Sequence, residues 1–181
     1  GVDLALEVHV GHILDGDTGE EVFAELLEAV RVREPEQECQ TGMRPCTRPL
    51  ASESVVLEEQ AEQLAAQGAE VILACRDQAK GQAALARIKH NQPDARVRLF
   101  ELDLADLTKV RGCARRLNDE LDGLDVLINN AGVVPDRQQF TADGFEMQFG
   151  VNYLAPVLLT HLLLPLLQQR PGARILHVAS V

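Results

Sequence analysis

The sequence predicts a doubly wound α/β fold, in which helices cover both faces of a parallel sheet. Three observations carry that prediction. From residue 54 onward, short apolar runs alternate with longer stretches whose apolar residues recur at helical spacing, the order expected of βαβ units. Val126, Leu127 and Ile128 form a run too short for a helix and too apolar for an edge strand, as a central strand covered on both faces requires. That run stops in Asn129, Asn130, Ala131 and Gly132, at the carboxyl end of the strand, where open α/β sheets bind ligands. Asn130 offers donors and acceptors, and Ala131 and Gly132 allow close backbone approach. An ordinary turn out of a strand would use the same residues, so these four alone leave both readings open.

In order, Leu4 to Val10 is β-capable, and Val22, Phe23, Leu26, Leu27 and Val30 form a helical stripe within an acidic stretch from about Glu20 to Val32. Arg33 to Pro49 is rich in proline and charge without periodicity, a linker that sets a break near residue 50. Val55 to Gln67 reads as a helix stopped by Gly68, and Val71 to Cys75 as a buried strand. A helix from Ala79 to His90, a strand from Val97 to Leu102 ending at Asp103, and a helix from Leu107 to Leu121 follow. After the central strand, a long helix runs from about Asp143 to Gln169, with Pro165 expected to kink or end it. Arg174 to Val178 is the last strand.

The chain of 181 residues, 46% hydrophobic, suffices for one domain with a core. Its net charge of -11 disfavours nucleic acid as a partner, because the surface would repel phosphates. Residues 1–50 contribute 11 acidic and 4 basic residues, so most of the excess is N-terminal. Cys39, Cys46, Cys75 and Cys113 show no paired spacing, which suggests neither a metal site nor a disulfide framework. No apolar run approaches the roughly 20 residues of a bilayer span, and the start has no secretory apolar region, so a soluble cytoplasmic chain is expected.

The stretch Glu70 to Asp77, the pair Asp103 and Leu104, Asn129 to Gly132, Asp143 to Tyr153 and Arg174 to Ser180 occur in one order. Together they resemble a short-chain dehydrogenase/reductase, closest in flavour to its retinol-dehydrogenase-like and WW-domain-oxidoreductase-like branch. The resemblance covers roughly residues 51–181 and leaves residues 1–49 unassigned. It implies a Rossmann-like, NAD(P)-binding domain over residues 50–181, incomplete at both ends, and interconversion of a hydroxyl and a carbonyl on a lipophilic, retinoid-like alcohol or ketone. It also assigns roles. Asn130, Ala131 and Gly132 would support the sheet and touch the adenosine ribose, while Asp103 and Leu104 would hold the adenine. Cys75 stands where NAD-preferring relatives carry an acid for the ribose 2′-hydroxyl, and Arg76 follows it, an exchange that favours NADP over NAD. A solvated loop arginine is the other reading of Arg76. Asn152 would hold a water in the proton relay, and Ser180 would polarise the substrate oxygen.

Departures from the pattern are as informative. The family's Tyr-x-x-x-Lys pair is absent: Tyr153 is the only tyrosine, Val157 stands four places on, and no lysine follows Lys109. Ala51, Val55 and Leu57 stand where three glycines of the phosphate turn belong, so side chains would crowd a pyrophosphate. Met43 to Pro49 carries two prolines and cannot be the central first strand. Leu4 to Val10 is expected to fill that vacancy as a surrogate strand, with Gly11, Gly16 and Gly19 in the loop after it. The alternatives are direct pairing of the two flanking strands, or an open, aggregation-prone sheet. Three functions follow: an oxidoreductase by descent, inactive as this sequence stands; a non-catalytic fragment or pseudoenzyme acting as an interaction protein; or a nucleotide-binding module without chemistry.

Overall fold

Strand β2, Glu70–Cys75, is buried on both faces from Val71 onward, because alternate residues meet helices on opposite sides. In the computed structural model, which describes residues 6–12 and 53–178, it belongs to a five-stranded sheet. The other strands are β1 (Leu6–His12), β3 (Arg96–Glu101), β4 (Val126–Asn129) and β5 (Arg174–His177), and the order across the sheet is β3-β2-β1-β4-β5. The helices are α1 (Glu53–Ala66), α2 (Gln78–Asn91), α3 (Leu107–Glu120) and α4 (Met147–Gln168). The helix expected at 20–32, the linker at 33–49, Cys39, Cys46, Gly16, Gly19, Ala51 and Ser180 lie outside the described residues.

The two faces of β2 and β4 sort the core. Val71, Leu73, Val126 and Ile128 pack with Ala61 and Leu64 of α1 and Ala84 and Ile88 of α2. Ile72, Ala74 and Leu127 pack with Val110, Cys113 and Leu117 of α3 and Ala155, Leu159 and Leu163 of α4. Helices thus cover both faces, as the alternating pattern predicts. At roughly 1.5–3 kcal/mol for each fully buried aliphatic side chain, the two clusters supply the main driving force for folding.

β2 pairs parallel with β3, and β4 parallel with β5. The vacancy between β2 and β4 is filled by β1, so the surrogate strand forms, two residues later in sequence than expected at each end. The sheet departs from the all-parallel expectation here: β1 runs antiparallel to both neighbours. Parallel placement is enforced where a crossover helix carries the chain back across the sheet. Residues 13–52 lie between β1 and α1, a length that imposes no such direction. Gly11 lies inside β1, not in a loop after it, and the register shifts between Val10 and His12.

α4 also departs from expectation in two respects. It begins at Met147 because the chain turns at Ala142 and Asp143, where the Gly144 N–H donates to the Thr141 carbonyl at 3.0 Å with Gly144 at φ +81°, and Glu146 then bridges to Phe140. Pro165 does not end it, since the helix continues to Gln168. Lying in the last turn, Pro165 removes only the bond to the carbonyl of His161. At 22 residues, α4 is long and apolar enough to cross a membrane by length and composition alone. Its inner face is part of the core beside α3, where Asn118 donates to the carbonyl of Leu162 at 3.0 Å.

Candidate functional site

The carboxyl ends of β2, β3 and β4 meet one edge of the sheet, and most of the residues singled out lie there. At the end of β2, the Cys75 carbonyl accepts from the N–H of Leu102 at 3.1 Å and from the Gln78 amide at 2.8 Å. Gln78 also donates to the carbonyl of Phe100 at 3.3 Å, so one side chain ties the ends of two strands together. Asp77 caps α2 by accepting from the N–H of Lys80 at 3.1 Å. Between them, Arg76 is exposed. The Cys75 thiol is buried, donates to the carbonyl of Asp77 at 3.3 Å, and is pushed up to about 11 by burial and then by the Asp77 charge. A thiol so held is protonated at neutral pH and inert.

Asp103, half-buried after β3, accepts from the N–H of Ala105 at 3.0 Å and lies 3.9 Å from the Lys109 ammonium. Leu104 is 3% exposed and packs in the α3–α4 core, which leaves only its backbone for a ligand. After β4, Asn130, Ala131 and Gly132 are half-buried. Asn129 is buried instead: its Nδ2 donates to Thr160 Oγ1 at 3.0 Å and lies 3.2 Å from His177 Nδ1, tying β4 to α4 and β5.

Asn152 sits in a five-residue π-turn, Gly150–Leu154, that interrupts α4. Its Oδ1 accepts from the Val133 N–H at 2.8 Å and its Nδ2 donates to the Val133 carbonyl at 2.9 Å. The π-turn is the device that aims this side chain at the loop after β4. Val178 N–H donates to the Asn129 carbonyl at 2.9 Å, which brings the chain beyond β5 to the same edge. Arg76, Asp103, Leu104, Asn130, Ala131 and Gly132 are therefore all on loops that follow β2, β3 and β4, and Asn152 reaches the last of these loops from the π-turn of α4.

Sequence reasoning missed Gln78, Gly81 and Glu146. A Cβ on Gly81 would lie 2.6 Å from the Cys75 sulfur and from Leu99 Cδ1, so this glycine sets how closely α2 approaches the sheet. Glu146 caps α4 by accepting from Gln148 N–H at 3.0 Å and Phe149 N–H at 2.9 Å. An acid immediately before an apolar helical stripe was the available signal for it.

A family model for short chain dehydrogenases matches residues 58–181. The chain belongs to the short-chain dehydrogenase family. Among relatives, retinol dehydrogenase 12 of Mus musculus is 42% identical over 123 residues, covering 68% of this chain and 39% of the relative. Retinol dehydrogenase 11 of Homo sapiens is 45% identical over 123 residues, with the same coverage of 68% and 39%. The chain thus spans about two fifths of the length of these curated relatives. A solved short chain dehydrogenase from Escherichia coli CFT073, complexed with NADPH, superposes with a TM-score of 0.56 at 27% identity, over 65% of this chain and 50% of that one. Another, from Burkholderia cenocepacia J2315 in complex with NADP, gives 0.52 at 30% identity, over 64% and 46%. The resemblance read from the motifs is therefore correct, and the doubly wound architecture is that of the family.

A nicotinamide dinucleotide fits only part of this edge. Its adenosine end would find the loops after β2, β3 and β4, but the pyrophosphate needs a strand that ends at the carboxyl edge and turns directly into a helix. Here β1 begins at that edge, with Leu6 opposite Cys75, and finishes at the far edge, with His12 opposite Glu70. Val55 and Leu57 are already inside α1, which starts at Glu53. Among the described residues there is no phosphate cradle.

Proposed function

We propose that this chain is the nucleotide-side portion of an NADP(H)-dependent short-chain dehydrogenase. The whole protein would interconvert a hydroxyl and a carbonyl on a lipophilic, retinoid-like alcohol or ketone. The single observation behind this reading is the convergence of Arg76, Asp103 and Asn130 to Gly132 on loops at the carboxyl ends of β2, β3 and β4. The exposed guanidinium of Arg76, directly after the buried neutral thiol of Cys75, suits a ribose 2′-phosphate better than a 2′-hydroxyl. The names of the relatives and the NADP-type ligands of the solved neighbours favour the same substrate class and cofactor.

On this reading Asn152 fixes the loop that the adenosine would lean against, Asp103 offers a carboxylate to the adenine, and Ser180 would face the substrate oxygen. The hydride-accepting chemistry would come from the cofactor, and no step of it is assigned to these residues, because the pyrophosphate end does not fit. The 181-residue chain should bind NADPH at best in the millimolar range, about 4 kcal/mol. Titration calorimetry tests this with NADPH, adenosine 2′,5′-bisphosphate and AMP. Weak binding that prefers the 2′-phosphate and falls with Arg76→Ala supports the reading; equal response to all three, or none, overturns the adenosine site. Micromolar NADPH binding would instead show that another group replaces the cradle.

A second reading, an interaction protein without chemistry, is favoured by one observation: the sheet completes itself with a strand from outside the family-matched residues.

A further inference from the structure

We propose that the slot between β2 and β4 is a strand-accepting site, able to take an apolar β-strand from another polypeptide in place of Leu6–His12. The walls of the slot are Val71, Ile72, Leu73, Ala74 and Leu127 at 0% exposure and Ile128 at 1%. Helices seal both faces here, so the occupant that suits the slot is apolar at every position, as in strands buried on both sides. Leu6–His12 does not meet that requirement. Its register sets Leu6, Val8 and Val10 opposite Cys75, Leu73 and Val71, but Glu7 opposite Ala74 and His9 opposite both Ile72 and Leu127. Ala74, Ile72 and Leu127 belong to the apolar cluster beneath α3 and α4. Glu7 and His9 therefore put two polar residues at register positions where a strand covered on both faces is ordinarily apolar.

The attachment is weak in two further ways. β1 pairs with β4 over three residues only, Val8 to Val10, and its register with β2 breaks between Val10 and His12. Residues 13–52 intervene before α1, so no short turn links the strand to the element that follows it. The slot itself presents two rows of backbone donors and acceptors that any extended segment can satisfy, so affinity comes from the backbone and selectivity from the side chains. The fitting partner is a run of about six aliphatic residues, the length of Glu70–Cys75, flanked by lysine or arginine to complement a chain of net charge -11.

The test uses the full chain and a labelled peptide, Lys-Lys-Val-Val-Leu-Ile-Val-Val-Lys, with a control in which proline replaces the leucine. Fluorescence anisotropy should give micromolar binding for the first peptide and at least tenfold weaker binding for the control. Hydrogen exchange in the complex should show the amides of Leu6, Val8 and Val10 losing protection while those of Val71 to Cys75 keep it. The double variant Glu7→Val, His9→Val, which makes the resident strand a better occupant, should lower peptide affinity at least tenfold. The proposal fails if the peptide does not bind, or if it binds an outer edge and leaves Leu6–His12 protected. It also fails if the double variant takes up peptide as well as the parent chain does.

Discussion

Asn152 holds Val133 by both of its backbone groups, accepting from the N–H at 2.8 Å and donating to the carbonyl at 2.9 Å. A side-chain amide has one acceptor end and one donor end, so it can reproduce what a neighbouring strand would offer that residue. The loop leaving β4 is thereby fixed without belonging to the sheet. Asn152→Ala should cost about 1 kcal/mol, because two backbone groups lose their partner at once but both bonds are exposed and water replaces them in part. Urea unfolding reads the loss, and hydrogen exchange should place it at the Val133 amide. Asn152→Asp keeps the acceptor and loses the donor, and should fall between the two. An alanine variant with parental stability and an unchanged Val133 amide would contradict the clamp.

Cys75 supplies a prediction with a defined pH window. Its thiol is raised from 9.0 to about 11 in the fold, first by burial and then by the Asp77 charge. The folded state therefore keeps a proton that the unfolded chain loses. The contribution to stability is fully present below about pH 9 and is lost as pH rises through about 11. Cys75→Ala should flatten that alkaline decline, and at pH 8 an alkylating reagent should label Cys75 only when the chain is unfolded. Rapid labelling of the native thiol at pH 8 would refute the assignment.

The parts of the fold legible in the sequence are those where periodicity decides. Val71 to Cys75 and Val126 to Asn129 declare themselves as buried strands because they are covered on both faces, and the stripe in Leu107 to Glu120 because it is covered on one. Direction is not in the pattern. Leu6 to His12 alternates in the same way whether it runs parallel or antiparallel, so its filling of the vacancy was readable and its reversal was not. The reversal matters most to function, since it moves the start of β1, and not its end, to the ligand edge. At the site, Asn129 and Asn130 look alike in sequence, yet one is buried among Thr160 and His177 while the other reaches the loop. Gln78 gave no signal because the carbonyls of Cys75 and Phe100 that it joins come together only in the sheet.

For turnover, the expectation rests on the groups present in these 181 residues. Tyr153, the only tyrosine, is exposed on α4 and stacks on Phe149 at 5.5 Å between ring centroids, with no lysine following it in sequence. Val157 stands four places on from it, where the family's acid/base pattern has a lysine. Assays of a retinoid and a short ketone with NADPH and NADH should show no rate above background, and Ser180→Ala should change nothing. A rate that falls on Ser180→Ala would reveal an acid/base group of another kind.

Glu146 governs the entry to α4, the helix that carries the Asn152 clamp. Its carboxylate accepts from the N–H groups of Phe149 and Gln148, and these two bonds hold it below its ordinary value of 4.5, the Phe149 bond contributing most. A negative charge at a helix start is also favoured by the helix dipole. Because the folded value is depressed, the stabilisation is present above about pH 4.5 and disappears as pH falls through the folded value. Glu146→Gln keeps an acceptor oxygen and loses the charge, whereas Glu146→Ala loses both. Thermal unfolding should therefore rank the parent above the glutamine variant and the glutamine variant above alanine at pH 7. Parent and glutamine variant should converge as the pH is lowered below 4.5, since the protonated acid and the amide then cap alike. A gap between them that persists unchanged into the acid range would mean that the Glu146 charge plays no part in starting α4.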